Sequence, residues 1–237
     1  MTVRDAKRGG RLIERAAVFV EHRSRRPQVA ESAYIAPTAV LCGDVTVGDH
    51  SRVLFGAVVT AEGGPVEIGA HCVVMEHAVV RGTPGHPACL GDHVIVGPHA
   101  HLSGCVVEGD SRLATGAVVF NGARIGATAE VQVGAVVHVN TVVPSGAKVP
   151  IGWVALGDPA EILPASESER IRTLLGPLDY PGTVFGVGPS EVGESILARR
   201  YAAGLARHRE DRILDSLRPA PRSAVPPDAE KGPRRGV

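Results

Sequence analysis

Residues 113–149 repeat every six positions and read LATGAV VFNGAR IGATAE VQVGAV VHVNTV VPSGAK V when divided accordingly. A branched aliphatic residue stands first in every group, and the fifth place holds Ala or Thr. This period is typical of a parallel β-helix, in which three groups form one triangular coil. An amphipathic α-helix would repeat apolar residues at three and four positions, and a β-sandwich would need turn signals about every 8–12 residues. The pattern therefore predicts an all-β solenoid.

The same period extends towards the N-terminus as far as Ile35, with two interruptions. The segment TAEGGPVE follows Val59, and RGTPGHPAC follows Val80. Both segments contain Gly and Pro, so we expect loops that leave the coil and return to it. Loops of this kind often carry function in solenoids, and a tolerated insertion at a corner is the alternative interpretation. A one-residue slip near Val107 is a further irregularity.

The repeat boundaries predict four parts of the chain. We expect an N-terminal segment over residues 1–33, a β-helix over 34–163, a C-terminal extension with helices over 164–217, and a disordered tail over 218–237. The tail is rich in Pro, Ala and charged residues, which bury too little apolar surface to fold. In the extension, SESERIRTLLG is predicted to be a helix capped by Ser166, LDYPGTVFGVGPS an extended segment, and SEVGESILARRYAAGLARHREDRILDSL a terminal helix packed on the β-helix.

The composition of the chain limits the partners and the cellular location that we expect. The chain has 25 basic and 25 acidic residues, so no strong field draws it to nucleic acid or to a membrane surface. The N-terminus lacks an apolar run long enough for a signal peptide or a membrane span. The four cysteines form no CxxC pair, which favours reduced thiols and a cytoplasmic protein.

The hexads, the two loops, VGPHAHLSGC at 96–105 and ALGDPAEI at 155–162 together resemble the gamma-class carbonic anhydrase-like family. The resemblance covers about Ile35 to Pro164. It implies a left-handed parallel β-helix, a homotrimer, and zinc or a related metal bound between subunits. The hexad pattern and the GDPAEI exit are also shared with hexapeptide-repeat acyltransferases.

The resemblance also implies where the family's active-site residues fall. The three metal-ligand places are Arg81 after IGAHCVVM, Pro98 after the next VG pair, and Ser103 before the GC pair. The arginine and aspartate of the family's first loop correspond to Thr60 and Glu62, and its active-site glutamine corresponds to Met75. Proline has no donor atom, and a protonated arginine repels a divalent cation. We therefore expect the inherited metal site not to assemble and the bound cofactor to be absent.

The former ligand places form a column with a different chemistry. Arg81, Ser103 and Asn121 are expected to stack there, which places one cation and two hydrogen-bonding groups together. Arginine suits bidentate recognition of a carboxylate or phosphate. The column is a candidate site for a small anionic ligand, and a contact with an acidic residue of the next subunit is the structural alternative.

Three other histidines are candidate metal ligands. His77 and His99 both stand fourth in their hexads, so we expect them in one column about 4.8 Å apart. His101 follows His99 by two residues and should share its outward face. With a neighbouring subunit, the three imidazoles could hold zinc or another divalent metal. A solvated ladder of surface histidines is the competing interpretation.

His86 in the loop TPGHPAC is a candidate catalytic base. Hexapeptide-repeat acyltransferases often place a histidine in a loop near the subunit boundary. Such a base takes the proton from a substrate hydroxyl or amine as the thioester of acetyl-CoA is attacked. A surface residue between two prolines is the plain alternative.

Three functions follow from these patterns. The first is a gamma-carbonic-anhydrase-like homotrimer without CO2 hydration activity, which acts in binding or assembly. The second is an acyltransferase that uses acyl-CoA, and the third is a divergent metal enzyme that uses His77, His99 and His101. The sequence leaves open whether the chain is an enzyme, and fold alone does not decide between these functions.

Overall fold

Three β-sheets form the faces of a triangular prism in the computed structural model, which describes residues 17–188, 194–214 and 217. In chain order the strands are β1 (Val18–Glu21), β2 (Gln28–Val29), β3 (Tyr34–Ile35), β4 (Val40–Cys42), β5 (Val45–Val47), β6 (Arg52–Val53), β7 (Val58–Ala61), β8 (Val66–Ile68), β9 (Val73–Val74), β10 (Val79–Gly82), β11 (Ala88–Leu90), β12 (Ile95–Val96), β13 (His101–Ser103), β14 (Val106–Val107), β15 (Arg112–Leu113), β16 (Val118–Val119), β17 (Arg124–Ile125), β18 (Glu130–Val131), β19 (Val136–Val137), β20 (Val142–Val143), β21 (Lys148–Val149), β22 (Val154–Leu156), β23 (Glu161–Leu163) and β24 (Arg212–Leu214). The α-helices are α1 (Ser168–Leu175), α2 (Tyr180–Phe185) and α3 (Glu194–Leu205), and 3-10 helices span Gly176–Leu178 and Ala206–Glu210.

Each coil contributes one strand to each sheet, because strands three apart in the chain lie side by side. The ten-stranded sheet has the order β23-β22-β19-β16-β13-β10-β7-β4-β1-β24. The two seven-stranded sheets run from β2 to β20 and from β3 to β21. Strand pairs are parallel except β1 with β24 and β22 with β23. The fold is a left-handed parallel β-helix of hexapeptide repeats with a C-terminal helical segment, so the predicted fold class is confirmed.

The interior of the prism is filled by the first and fifth places of the hexads. Val119, Ile125 and Val131 are fully buried first-place residues, and Ala117 and Ala123 are fully buried at the fifth place. Burial of one such aliphatic side chain stabilises the fold by roughly 1.5–3 kcal/mol. The small fifth-place residues let neighbouring coils approach, because stacked strands are only about 4.8 Å apart.

The corners of the prism explain why histidine recurs at the fourth place of the hexad. His50, His71, His77, His93 and His99 all have φ between 56° and 61°, in the left-handed region. Histidine tolerates this region better than most residues that carry a Cβ, and β-branched residues rarely adopt it, although Thr128 does so here with φ 61°. The rings then stack from coil to coil, with centroids 4.9 Å apart for His50 and His71 and 5.2 Å apart for His77 and His99.

The first coil begins earlier than the expected boundary at residue 34. Strand β1 pairs in parallel with β4, with Val18 opposite Val40, and β2 pairs with β5, with Val29 opposite Val47. The boundary is displaced because the hexad register is weak in the segment EHRSRR, where Arg23 and Ser24 form a tight turn with positive φ. The expected segment therefore contributes strands to the helix, while residues 1–16 and 218–237 lie outside the described residues.

Two predictions for the C-terminal extension are wrong. The segment predicted to be extended contains α2, which begins after Asp179, whose carboxylate accepts a hydrogen bond from the Gly182 N–H. The predicted terminal helix ends at Leu205, and the chain continues as a 3-10 helix and then as β24, antiparallel to β1. β24 supplies partners for the backbone groups at the free edge of β1, which outweighs the helical periodicity of the sequence. Among the described residues, none of the helices has the length and apolar character needed to cross a membrane.

Candidate functional site

A cavity of about 470 Å³ lies between the outer face of the ten-stranded sheet and the helices α2 and α3. Arg81 and Ser103 line it from the sheet, Phe185 from the end of α2, and Tyr201 and Leu205 from α3. The resemblance assigns this face to a subunit boundary. In this protein, the chain's own C-terminal helices supply the opposite wall.

Arg81 and Ser103 lie directly opposite each other on the adjacent strands β10 and β13. Their places in the hexad are equivalent, so both side chains leave the sheet on the same face. Arg81 Nη1 donates a hydrogen bond to Tyr201 Oη at 2.8 Å, while Arg81 Nε is buried and has no partner among the described residues. The guanidinium group is therefore held on one side and retains an unsatisfied donor, which costs free energy unless an acceptor meets it.

Asn121 does not continue the Arg81–Ser103 column. Leu102 pairs with Val119, so the residue next to Ser103 in the following coil is Phe120, and Asn121 lies beside Gly104. The shift arises because Val107 follows Leu102 after five positions, whereas a step of six positions would keep the register. Asn121 still lines the cavity, and its Nδ2 donates a hydrogen bond to Thr83 Oγ1 at 2.6 Å.

Aromatic side chains are concentrated at this cavity. The chain has only four Phe, three Tyr and one Trp, and four of these residues line the cavity: Phe120, Tyr180, Phe185 and Tyr201. Their ring centroids form a continuous chain, with 5.7 Å from Phe120 to Tyr180, 6.0 Å from Tyr180 to Phe185 and 6.0 Å from Phe185 to Tyr201. Edge-to-face packing of this kind holds rings in fixed positions. The cavity therefore has a rigid apolar wall opposite a polar sheet face.

The charged groups of the cavity wall are predominantly positive. Arg23, Arg81 and Arg200 contribute guanidinium groups, and Glu62 contributes a carboxylate. His101 also lines the cavity, where burial and the neighbouring charge of Arg81 lower the pKa of its imidazole below 6.5. His101 is therefore neutral at pH 7, and the arginines set the sign of the field in the cavity.

The histidines predicted as metal ligands are divided between two places. His77 and His99 stack on each other at a corner of the prism, whereas His101 lies in β13 and faces the cavity. The rule that residues two apart share a face applies within a strand, and His99 lies in the preceding turn. Within the described residues of one chain, the three imidazoles do not form a group with all donor atoms within 4.8 Å. A metal site that uses these three histidines would therefore require a second subunit to bring ligands together.

His86 lies in the tight turn Thr83–His86 and outside the cavity lining. The backbone N–H and C=O groups of Thr83 and His86 bond to each other at 2.9 Å, and Gly85 has φ 79°. His86 Nδ1 is buried and has no hydrogen-bond partner among the described residues. The turn brings Thr83 and Pro84 to the cavity, and His86 is not among the residues that line it.

A second cluster of chemically active side chains lies at the start of the β-helix. His22, Cys42, His208 and Asp211 each offer one donor atom, and these atoms all lie within 4.8 Å of one another. Asp211 Oδ1 is 2.6 Å from His22 Nδ1, and Asp211 Oδ2 is 2.7 Å from His208 Nδ1. The two imidazole rings stack with centroids 4.4 Å apart. Glu62 joins the cluster from the cavity wall, with Oε2 2.8 Å from His208 Nε2.

The ionisation of this cluster follows from burial and from the two carboxylates. Burial, then the charges of Asp211 and Glu62, raise the pKa of the Cys42 thiol to about 11. Hydrogen bonds to Asp211 and Glu62 raise the pKa of His208 despite its partial burial. Partial burial favours a higher pKa for Asp211, yet the hydrogen bonds from His208 and His22 hold this pKa below its usual value.

Sequence reasoning missed this second cluster. Its members come from the turn after β1, the end of β4 and the segment after α3, and of these places only the end of β4 belongs to the hexad repeat. The available signal was the His208-x-x-Asp211 spacing, which puts both side chains on one side of a single turn. That signal is weak without knowledge of the distant residues that it meets.

Comparison with known proteins identifies the scaffold. The chain is 34% identical over 99 residues to gamma carbonic anhydrase 3, mitochondrial, of Arabidopsis thaliana, which covers 39% of this chain and 38% of that protein. It is 28% identical over 100 residues to a carbonic anhydrase of Geobacillus kaustophilus, covering 42% of this chain and 55% of that protein. The chain is therefore similar to gamma carbonic anhydrases over less than half of its length.

Among solved structures, the chain is similar to a hexapeptide transferase family protein from Anaplasma phagocytophilum. The identity is 17%, the alignment covers 81% of this chain and 95% of that chain, and the TM-score is 0.43. No family model matches the chain. The chain spans about half the length, or less, of the two carbonic anhydrases it matches, so their activity does not transfer to it by similarity alone.

Proposed function

We propose that this gamma-carbonic-anhydrase-like protein binds a small organic anion in the cavity beside Arg81 and does not hydrate CO2 at the inherited metal places. The observation that carries the proposal is the state of Arg81. Its guanidinium group is fixed by Tyr201, has an unpaired buried Nε, and faces a cavity walled by aromatic rings. A carboxylate at this position would accept the free hydrogen bond and gain a charge-assisted contact.

The residues at the inherited ligand places do not fit zinc. By resemblance these places hold Arg81, Pro98 and Ser103, and catalytic zinc in proteins takes three ligands drawn from His, Cys, Asp and Glu. Arg81 is a permanent cation that donates to Tyr201, and the Pro98 ring has no donor atom. Ser103 is buried beside Arg81. The same substitutions that disfavour a cation favour an anion at this face.

The shape and charge of the cavity support a ligand with one anionic end and an apolar body. Three arginines and one glutamate line it, and Glu62 is already engaged with His208 and with Thr60, whose Oγ1 lies 3.2 Å from Glu62 Oε1. The aromatic rings offer a flat apolar surface rather than hydrogen bonds. The volume of about 470 Å³ is within the range of small-molecule sites.

The proposal extends to assembly and location. We infer a homotrimer from the family resemblance, and a cytoplasmic location from the four cysteines, all of which are free thiols. Phe55, Val133 and Ile151 are exposed apolar residues on corner turns of the prism, and they support a subunit contact there. The mass of the protein in solution, measured by light scattering, tests the oligomeric state.

Calorimetric titration with benzoate tests the binding function. Benzyl alcohol has a similar body without the charge, and we expect benzoate to bind at least about tenfold more tightly, because the contact to Arg81 is charge-assisted. Arg81→Gln should remove this preference. Arg124→Gln, which alters an exposed ion pair with Glu108, is the matched control and should keep it. Equal affinity for the two compounds would contradict the proposal.

A further inference from the structure

Outside the cavity, two imidazoles, a thiol and a carboxylate lie close together in a partly buried cluster. His22 and Cys42 are buried in the first coil, with 2% and 6% of their surfaces exposed. His208 and Asp211 reach them from the C-terminal segment. Polar side chains in this position need partners that satisfy all their polar atoms. His22 Nε2, however, has no hydrogen-bond partner among the described residues.

We propose that His22, Cys42, His208 and Asp211 bind one zinc ion, which fastens the C-terminal segment to the first coil. Each residue contributes one donor atom, and the four atoms already lie within 4.8 Å of one another. Zinc in proteins takes four ligands from His, Cys, Asp and Glu in a tetrahedron. Bond lengths of about 2.0–2.3 Å place the ligand atoms roughly 3.3–3.8 Å apart, so shifts of about 1 Å complete the site.

The charges of the donor set select zinc. Two neutral imidazoles, one thiolate and one carboxylate carry two negative charges in total, so a divalent cation leaves the buried site neutral. Calcium and magnesium prefer oxygen ligands only, whereas imidazole and thiolate suit zinc. On binding, the Cys42 thiol proton and the proton between His208 Nδ1 and Asp211 leave to solvent, while His22 stays neutral and binds through its unprotonated ring nitrogen.

Glu62 provides the support that a zinc-bound histidine needs. Its Oε2 lies 2.8 Å from His208 Nε2, on the opposite side of the ring from Asp211. With the Nε2 proton donated to Glu62, the lone pair of His208 Nδ1 points into the cluster. Zinc-binding histidines usually donate their second N–H to a carboxylate in this way, which fixes the tautomer and strengthens the metal bond.

The site has a structural role, because the protein fills all four ligand places. His208 and Asp211 follow α3, whose residues Tyr201 and Leu205 form part of the cavity wall. Asp211 also immediately precedes β24, which pairs with β1. A bound ion therefore holds the strand and the helical wall against the first coil. Glu62 lines the cavity and supports His208, but the zinc ligands themselves do not line the cavity, so zinc retention and anion binding are measured by different assays.

Metal analysis of the full chain reconstituted with zinc and dialysed tests the proposal. We expect about one zinc per chain, retained without any other ligand. His208→Gln and Cys42→Ser should each lower the retained zinc at least about tenfold. His86→Gln and Cys89→Ser change the same residue types outside the cluster and should retain the ion. A native chain that retains less than about a tenth of an equivalent overturns the proposal.

Cobalt substitution keeps the test decisive where a variant does not fold. Cobalt in the native chain should show the intense visible bands of a tetrahedral site and a thiolate-to-cobalt charge-transfer band from Cys42. Weak bands of six-coordinate cobalt, or a native spectrum without the thiolate band, would contradict the assigned ligands. Hydrogen exchange gives a further readout, since chelation of the metal should speed exchange of the amides of residues 206–214 at least about tenfold. Unchanged exchange there argues against a fastening role.

Discussion

Asp211 Oδ1 lies 2.6 Å from His22 Nδ1, although 189 positions of the chain separate the two residues. This contact joins the first strand of the β-helix to the last described strand, because β24 begins at the next residue and pairs with β1. The C-terminal segment therefore packs on the first coil. Helix α3 is held over the cavity by Phe185, which packs against Tyr201, and by the Asp211 contact beyond the C-terminal end of the helix.

Asp211→Ala should destabilise the metal-free protein by about 1–3 kcal/mol, because it leaves the buried Nδ1 of His22 and the Nδ1 of His208 without their acceptor. Urea unfolding in the presence of a chelator measures this free energy. Asp110→Asn is the control, since it removes an exposed ion pair with His93 at 3.3 Å and keeps a residue type that tolerates the positive φ of this position, so stability should change by less than about 1 kcal/mol. Equal effects of the two substitutions would show that the Asp211 contacts contribute little.

Glu62→Gln should weaken zinc binding roughly 10–100-fold without removing a ligand, because the amide supports His208 less strongly than the carboxylate does. Competition with a chromogenic chelator measures the affinity. Glu67→Gln lies on the exposed face of β8 and should leave the affinity unchanged. A loss of affinity in both variants would indicate a general charge effect instead of a specific hydrogen bond.

Leu113→Ala should destabilise the protein by about 2–5 kcal/mol, because this first-place side chain is 1% exposed and its removal leaves a cavity between coils. The free energy of unfolding is measured by urea denaturation. Ile213→Ala removes an aliphatic side chain of the same size that is 76% exposed, and we expect a change of less than about 1 kcal/mol. If Leu113→Ala lowered the free energy of unfolding no more than the control does, the result would be inconsistent with burial of this side chain between stacked coils.

Benzoate binding should strengthen as the pH falls below 6.5. Burial and Arg81 lower the pKa of His101, so its imidazole is neutral above this value, and protonation at lower pH adds a positive charge to the cavity. His101→Gln should make the affinity independent of pH between about pH 5 and pH 7. Calorimetric titration at several pH values measures the dependence, and an affinity that falls with pH in the native protein would exclude this role of His101.

The same pKa shift predicts the sign of a stability effect. The unfolded chain takes up a proton on His101 near pH 6.5, whereas the folded protein does so only at lower pH. Stability is therefore lost as the pH falls from 6.5 towards the folded pKa, and this contribution is constant above 6.5. Burial lowers the pKa of His138 as well, so His101→Gln should reduce the slope of stability against pH without removing it.

The β-helix could be predicted from the sequence because its core contacts repeat locally. Each first-place residue stacks on its equivalent in the next coil, so one pattern repeated many times fixes both the fold and the adjacency of Arg81 and Ser103. Asn121 was misplaced by one residue because the five-residue step from Leu102 to Val107 lies between it and Ser103. The role of the site residues in binding stays a prediction.

The C-terminal extension could not be predicted in the same way. The positions of α3 and of the 3-10 helix after it depend on contacts with side chains far away in the chain, namely Arg81 with Tyr201 and Glu62 with His208. The helical spacing of residues 196–214 was compatible with one long helix, and the preference of β24 for the edge of β1 overrides it. Neither the covered cavity nor the second cluster has a repeat that would reveal it.

The two strands that run against the direction of all others lie at opposite ends of the longest sheet, β24 beyond β1 and β23 beyond β22. A parallel rung from a second molecule cannot continue the ladder past either of them in register. In this sheet, the reversal of hydrogen-bond polarity disfavours the end-to-end addition of parallel coils, by which a repetitive sequence could grow into fibres. The C-terminal segment therefore caps one end of this sheet with β24 and lines the cavity with α3.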